Sequence, residues 1–553
     1  MRLVIVGGVA GGMSAAARFR RLDEKSEIIV LEKGEHVSYA NCGLPYFISG
    51  EIIDRSKLLV QTPETLKESL NIDVRTGIEV VAIDPASKNL SVIGSTGAET
   101  ISYDSLIISP GASPAKPTIP GLETANAFVL RTVPDALAID TEVSAGVKTA
   151  AVLGAGFIGA EVAEALAMRG VATSIIEMAD HILPPLETEI ARFAEDALRE
   201  AGVDVHIGVT ASAIDGNRIK LSNGKEVKGD LLIVSAGVKP DTSVFTDAGI
   251  ENDRGAVITD VYGRTNLPHV WAIGDAVIST SAVTAARRPV ALAGPANRAG
   301  RIVADNIFQN HETLLQDLPA LMGTAIVRVG TQTVAMTGAN RQALESAGID
   351  FDTLHTHPNH HASYFPGAKQ IHMIVHFEKG NGKLLGAQAI GESGVDKRID
   401  VIATAIKFGA KITDLIDLDL AYSPPYGSAK DPINMLGMLG NNVMSGQLQL
   451  WHVGNIESEL ADSLLLDVRT ADEFATGHLK NAINIPHIEL RERIEEVRGL
   501  AKGRRLRVMC QSGVRSYIAH RILVDAGFES ASLSGGALTL WSMRPDLKTL
   551  ERK

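Results

Sequence analysis

The amino-acid sequence predicts an α/β protein of several domains, and three observations carry that reading. At 553 residues the chain exceeds what one hydrophobic core serves, and the usual domain size gives roughly three to four units. Twice, a β-branched run meets a glycine turn, a small-residue helix and a second strand that ends on an acidic residue. Beyond about Gly446 the chain changes character and begins a separate strand-and-helix unit with a cysteine of its own.

Composition removes several function classes. Hydrophobic residues make up 45% and charged residues 21%, and no apolar run approaches the ~18 residues that cross a bilayer, so no membrane span is expected. A formal charge of -12 argues against a nucleic-acid partner, because such binding rests on clustered positive charge. Anionic small ligands stay possible where basic residues gather. The apolar run Leu3-Val4-Ile5-Val6 stops at Gly7-Gly8 and reads as a buried first strand rather than a signal peptide, so a cytoplasmic location is expected. Cys42 and Cys510 lie far apart in unlike contexts, which is no disulfide framework. A lone cysteine is ordinarily a small buried hydrophobe, so each is judged by its neighbours.

The first glycine unit runs from a strand at 3–6 through Gly7-Gly8-Val9-Ala10-Gly11-Gly12 to a strand at 28–31 that closes on Glu32 and Lys33. The second runs from 149–153 through Gly154-Ala155-Gly156-Phe157-Ile158-Gly159, with Glu161 on the following helix, to 173–176 closing on Glu177. In such a βαβ unit the first glycine makes the turn and the last lets helix pack on strand. The pyrophosphate rests on the helix N-terminus, and the acidic residue about 20 positions later takes the ribose hydroxyls. Both are therefore Rossmann-like dinucleotide sites. The second motif is complete, whereas the first carries Val9 where the middle glycine is expected. Two units imply two dinucleotides, most simply FAD and NAD(P)H, and Glu177 would repel a 2′-phosphate, so NADH is favoured over NADPH.

Two further stretches add to this pattern. Residues 265–275 form a strand running into Gly274-Asp275, and residues 103–111 form another that ends in Ser109-Pro110-Gly111. Together the four motifs resemble the glutathione reductase superfamily of pyridine nucleotide-disulfide oxidoreductases. The resemblance implies that Asp275 contacts the FAD ribitol and that 103–111 leads from the FAD domain towards the NAD domain.

Cys42 lies in Ser38-Tyr39-Ala40-Asn41-Cys42-Gly43-Leu44-Pro45-Tyr46, where the chain should re-enter a helix. Unpaired amides at a helix N-terminus push a thiol towards thiolate, the form a nucleophile needs. Dithiol members of the superfamily carry a second cysteine five residues on, where this chain has Phe47. A lone redox thiol must cycle through a mixed disulfide, persulfide or sulfenic acid. The single-cysteine pattern resembles coenzyme A-disulfide reductases and their persulfide-reducing relatives. NADH peroxidases and oxidases resemble it too, but the peroxidases place a histidine where this chain has Ala10.

On the first helix Ser14, Arg18 and Arg21 share one face, which by spacing alone is a solvated charged face. The resemblance implies that these three, with Ser38, Asn41 and Lys430, contact coenzyme A. Leu70 stands where the family can carry a lysine, with Lys67 one turn away as a substitute.

Residues from about 322 to 441 alternate strands and helices without a glycine fingerprint and resemble the superfamily's interface domain. Tyr364 and Tyr422, by ordinary packing, are core tyrosines with satisfied hydroxyls. The resemblance implies instead that they reach the active cysteine of a second subunit in a homodimer. His355, His357, His360 and His361 fit no closed zinc set, so no metal is expected.

The last unit holds Leu466-Asp467-Val468-Arg469, Glu473-Phe474, Gly477-His478-Leu479 and a strand delivering Cys510-Gln511-Ser512-Gly513-Val514-Arg515 into a helix. It resembles rhodanese domains. Amides of the loop form an anion nest that holds Cys510 as a sulfur-carrying thiolate, and Arg515 would close the loop and bind an anionic donor. The six-residue loop has sulfurtransferase rather than phosphatase length.

The expected organisation is α/β overall: two Rossmann-like dinucleotide-binding domains, FAD at 1–112 with 238–320 and NAD(P)H at 113–237, then an α+β dimerisation domain at 321–445 and a C-terminal α/β rhodanese domain at 446–553. Three activities follow. The first is NADH-driven reduction of coenzyme A persulfide, polysulfide or coenzyme A disulfide through FAD and Cys42, with sulfur supplied by Cys510. The second is peroxide or oxygen reduction through a sulfenic acid. The third is redox sensing with a partner-binding rhodanese module.

Overall fold

A computed structural model describes residues 1–309 and 311–550. The chain forms two compact units, Met1–Asp180 with Ala201–Gly323, and His181–Glu200 with Thr324–Lys553. Within the 113–237 range expected for the NAD(P)H domain, residues 181–200 thus pack with the second unit.

The first unit holds two parallel five-stranded sheets. In one the order is Val270–Ala272, Ser105–Ile108, Arg2–Val6, Glu27–Glu32, Asp73–Thr76. Its central strands Arg2–Val6, Glu27–Glu32 and Ser105–Ile108 are apolar at successive positions because both faces are covered. Val4, Val6, Ile29 and Leu31 enter one cluster, while Leu3, Ile5, Ile28 and Val30 enter the cluster on the other face. The helix Ala10–Leu22 lies against Ala293–Gln309, and their approach is close enough that a Cβ on Gly300 would sit 2.3 Å from the Gly11 carbonyl oxygen. The other sheet runs Val203–His206, Ala172–Ile176, Thr149–Leu153, Leu231–Val234, Ala127–Phe128. Both glycine turns follow the central strand of their sheets, the switch point where open α/β sheets bind ligands.

The second unit begins with an antiparallel sheet ordered Ala325–Val329, Gln332–Gly338, Leu384–Gly391, Ile371–Glu378, Phe351–Thr356. It continues into a parallel sheet ordered Leu450–Trp451, Ser530–Leu533, Arg505–Met509, Ser463–Asp467, Ile483–Asn484. Histidines join the two. His355 Nδ1 lies 2.8 Å from Ser534 Oγ, His357 Nε2 lies 2.9 Å from Thr539 Oγ1, and His357 Nδ1 lies 2.7 Å from His372 Nδ1. His355 Nε2 also faces Glu189 at 3.3 Å. No group of three or more His, Cys, Asp or Glu among the described residues is arranged to hold a metal ion, and no helix among them is long and apolar enough to cross a membrane.

Two thiol centres and their dinucleotide cradles

The glycines of the two turns are ones the chain itself requires, except for one in the second turn that it does not. Gly7 (φ +100°) could carry no Cβ, which would lie 2.0 Å from the Ser109 carbonyl oxygen, and a Cβ on Gly12 would lie 1.9 Å from that of Gly7. In the second turn a Cβ on Gly154 would lie 2.6 Å from the Ser235 carbonyl oxygen and one on Gly159 2.0 Å from that of Gly154. A Cβ on Gly156 meets nothing within 4 Å, so this glycine keeps open the cradle at the start of the helix Phe157–Met168. That opening is where a pyrophosphate fits. Val9 caps the first helix with φ −112°, a value that any residue adopts, which is why the turn survives without a glycine there. Ile158 begins its helix exposed beside half-buried Phe157.

The acidic residues sit on loop amides. Gly8 and Gly34 N–H donate to the two oxygens of Glu32 at 2.8 and 2.7 Å, and Ala155 and Ala179 N–H donate to those of Glu177 at 2.6 and 2.9 Å. Each oxygen keeps a lone pair for a ribose hydroxyl, so the residues present fit FAD in the first cradle and NAD(P)H in the second. Ser109-Pro110-Gly111 crosses beside the first turn, with Ser109 Oγ 2.8 Å from where a Gly11 Cβ would be. Lys33, expected at the cofactor, is an exposed side chain directed at Asp241 and Glu79.

Asp275 follows Gly274 (φ +81°) and is buried enough to push its carboxyl up, while Arg131 Nη2 at 3.4 Å pulls it back. Arg131 was not anticipated from sequence. Its signal is the position in Leu130-Arg131-Thr132, directly before a helix opened by the Thr132–Asp135 capping box. Tyr39 OH donates to the Arg131 carbonyl at 3.4 Å, and burial pushes that phenol up to about 12.

Cys42 stands in the 3₁₀ turn Asn41–Gly43 ahead of the short helix Leu44–Ile48. The turn is tied to the first cradle, since Ser38 (φ +47°) donates its N–H to the Gly8 carbonyl at 2.9 Å. The expectation of a thiol pushed towards thiolate is corrected here. Although the residue has exposed surface, the dense surroundings of its thiol desolvate it and the Glu161 carboxylate opposes its ionisation, so the thiol is pushed up. A five-residue helix is too short to reverse this. Glu161 accepts from Tyr46 OH at 3.2 Å, which places it at the thiol turn. Asn41 Oδ1 is buried beside Cys42 with no partner among the described residues, an acceptor awaiting a donor from outside the chain.

The basic face of the first helix is not a free comb of charges. Ser14 Oγ donates to Asn297 at 2.9 Å and Arg18 Nε to Asp305 at 2.7 Å, both on Ala293–Gln309, which leaves Arg21 exposed. Leu70 packs on the core, and Lys67 donates to Asn71 at 2.8 Å.

In the second unit Tyr364 and Tyr422 are exposed, by 73% and 48%, and their hydroxyls lie 3.1 Å apart. The packing expectation of core tyrosines fails. The shared hydrogen bond pushes the Tyr364 phenol up. Tyr422 lines an open cavity of about 590 Å³ with Tyr426, Lys397 and Arg398, and Lys430 is exposed nearby in sequence.

Cys510 directly follows the strand Arg505–Met509 and is 1% exposed. Gly513 (φ +100°) donates its N–H to Cys510 Sγ at 3.2 Å, and Ala537 N–H donates to the Cys510 carbonyl at 2.8 Å. Arg515, expected to close the loop and bind an anionic donor, pairs with Glu473 through two bonds of 2.7 Å, and Glu473 is held down to about 2 by that guanidinium. The same guanidinium also interacts with Cys510.

Two nucleotide cradles leading to one thiol, with a second thiol in a separate α/β sheet, define a pyridine-nucleotide-dependent thiol oxidoreductase. Residues 1–293 match the pyridine nucleotide-disulphide oxidoreductase family, 324–431 its dimerisation domain and 451–544 the rhodanese-like domain. The chain belongs to the pyridine nucleotide-disulphide oxidoreductase family and carries a rhodanese-like domain. It is 34% identical over 442 residues to the coenzyme A disulfide reductase of Staphylococcus epidermidis, covering 79% of this chain and 99% of that one. The solved structure of reduced Bacillus anthracis CoADR-RHD has a TM-score of 0.96 at 39% identity, covering 99% of both chains. A NAD-dependent persulfide reductase from A. fulgidus has a TM-score of 0.91 at 35% identity, covering 98% of this chain and 100% of that one.

Proposed function

We propose that the protein uses NADH and FAD to reduce coenzyme A persulfide, polysulfide or coenzyme A disulfide at Cys42, and that Cys510 carries the sulfane sulfur. The observation that carries this reading is the single thiol beside the first cradle, with Phe47 where a resolving cysteine would stand and an unpartnered Asn41 acceptor next to it. The names of its relatives support the same substrate class.

FAD, when bound, relays two electrons from the nicotinamide to the Cys42 sulfur. Glu32 and Asp275 hold its ribose and ribitol, and Glu177 holds the ribose of NADH in preference to NADPH. The Cys42 thiolate attacks the outer sulfur of a persulfide, forming a Cys42 persulfide and releasing the free thiol. Two electrons then cleave that S–S bond to thiolate and sulfide. Asn41 and Ser38 orient the incoming thiol end, and Arg21 answers its phosphates. In a homodimer the exposed pair Tyr364 and Tyr422 serves the partner's thiol, donating a proton to the leaving thiolate.

The test is anaerobic NADH consumption with parallel sulfide detection, offering coenzyme A persulfide, coenzyme A disulfide, polysulfide and peroxide to the parent and to Cys42→Ser. Sulfide release lost with Cys42→Ser supports the reading. Fast peroxide turnover with negligible sulfide overturns it in favour of the sulfenic-acid cycle.

A further inference from the structure

Behind Cys510 lie two serines that the sulfur-carrier reading does not use. Ser516, in the first turn of the helix Val514–Asp525, is 0% exposed, and Ser532, on the strand Ser530–Leu533, is 1% exposed. Ser516 Oγ lies 3.4 Å from Cys510 Sγ. Ser532 Oγ donates to Ser516 Oγ at 2.8 Å, and Ser516 Oγ donates to the Gly513 carbonyl at 3.0 Å.

A hydroxyl has one hydrogen, and here it has two acceptors within reach. With Cys510 as a thiol, S–H points at Ser516 Oγ and the serine hydrogen goes to Gly513. When the sulfur bears negative charge it has no hydrogen to give, and rotation of the Ser516 hydroxyl turns the donor onto Sγ. The Gly513 carbonyl is not orphaned, because Tyr517 N–H donates to it at 3.0 Å. Ser532 remains as donor to Ser516 and fixes its oxygen.

We propose that Ser516 is a catalytic hydrogen-bond donor to the Cys510 sulfur when sulfur is handed on, and that Ser532 is its positioning residue. This rests on the reading of Cys510 as a sulfur carrier. In the step, an acceptor nucleophile attacks the outer sulfur of the Cys510 persulfide, and its bond to that sulfur forms as the Sγ–S bond breaks. The electron pair goes to Sγ, so no external oxidant or reductant is required. The charge appears on an atom that water barely reaches, while Arg515 is already paired with Glu473. Ser516 adds a neutral donor to that of the Gly513 N–H, which reaches Sγ at 3.2 Å, and supplements the Arg515 guanidinium, which interacts with both Glu473 and Cys510.

The test uses the full-length holoenzyme with thiosulfate to load Cys510 and cyanide to unload it, each half followed by rapid mixing. Ser516→Ala is expected to slow unloading about tenfold. Loading should change less, by no more than about fourfold, because the gain in nucleophilicity offsets about half of the loss in thiolate fraction on a logarithmic scale in attack but not in departure. The pH at which iodoacetamide labels Cys510 half-maximally, read on its own peptide, should rise. Ser532→Ala should do the same more weakly. Equal slowing of both halves with an unmoved labelling midpoint overturns the proposal. Should Ser516→Ala not fold, an unchanged midpoint and unloading rate in Ser532→Ala overturns it. If the parent shows no persulfide on Cys510 after thiosulfate, the sulfur-carrier reading fails instead, and the labelling midpoint still reports the hydrogen bond by itself.

Discussion

At the scale of single residues, charge placement around each reactive group decides its behaviour. Cys42 is pushed up by burial and by the Glu161 carboxylate, so its reactivity falls as pH drops. Glu161→Gln removes the carboxylate that opposes thiolate formation, and the alkylation midpoint of Cys42 is expected to fall. Stopped-flow labelling across pH measures this, and an unmoved or higher midpoint counts against the assignment. Glu177 is locked by the Ala155 and Ala179 amides at the rim of the second cradle. Glu177→Ala should therefore raise the kcat/KM ratio of NADPH to NADH by at least about tenfold, as steady-state kinetics with both nucleotides will show.

At the scale of elements, the two kinds of glycine separate packing from ligand binding. Gly12→Ala forces a Cβ to within 1.9 Å of the Gly7 carbonyl and pushes helix off strand, an overpacking of about 2–3 kcal/mol that should appear as lost flavin absorbance and a lower Tm. Gly156→Ala meets no atom of the chain, so Tm should hold while the KM for NADH rises. A raised KM without a stability cost is the signature of a ligand-imposed glycine. The histidine seam of the second unit makes a prediction about acid. Burial holds His372 down to about 4 and His452 to about 3, and holds His357 below the usual histidine range. These rings are neutral in the fold and take up protons on unfolding. Their contribution is complete above about pH 6.5 and is lost as pH falls towards 4, with roughly 3 kcal/mol at stake at His372. Burial opposes the ionisation of Glu187 and Glu189, but His376, His355 and Arg341 hold both carboxylates below their usual range, so they add loss in the same direction at lower pH. Scanning calorimetry of the holoenzyme should give a Tm that is flat above pH 7 and drops between 6.5 and 4. His372→Gln should flatten that drop, and an unchanged slope would sink the account.

At the scale of the whole molecule, a site shared between subunits has a direct genetic signature. If Tyr422 of one protomer serves Cys42 of the other, a mixed dimer of Cys42→Ser and Tyr422→Phe chains contains one intact site. It should recover about half the activity of the parent dimer, while each variant alone is impaired. Recovery no greater than the mean of the two variants would place the tyrosine in its own chain's site.

The sequence by itself determined what depends on neighbours along the chain. The strands at Arg2–Val6 and Thr149–Leu153, the glycine turns after them, the closing residues Glu32 and Glu177 and the six-residue loop from Cys510 are all spelled by local spacing, because βαβ geometry fixes which residue types stand at each step. Only the tertiary structure decided which partner each charge acquires. Asp305 takes Arg18, Glu473 takes Arg515, and Glu161 opposes Cys42, all across separations that no periodicity encodes. Exposure was not legible from residue type either, since Tyr364 and Tyr422 read as core by packing, stand at the surface, and were directed outwards only by the family resemblance. Local backbone geometry can be written in a short stretch of sequence, whereas the electrostatic environment of a side chain is set by whatever the fold brings within a few ångströms of it.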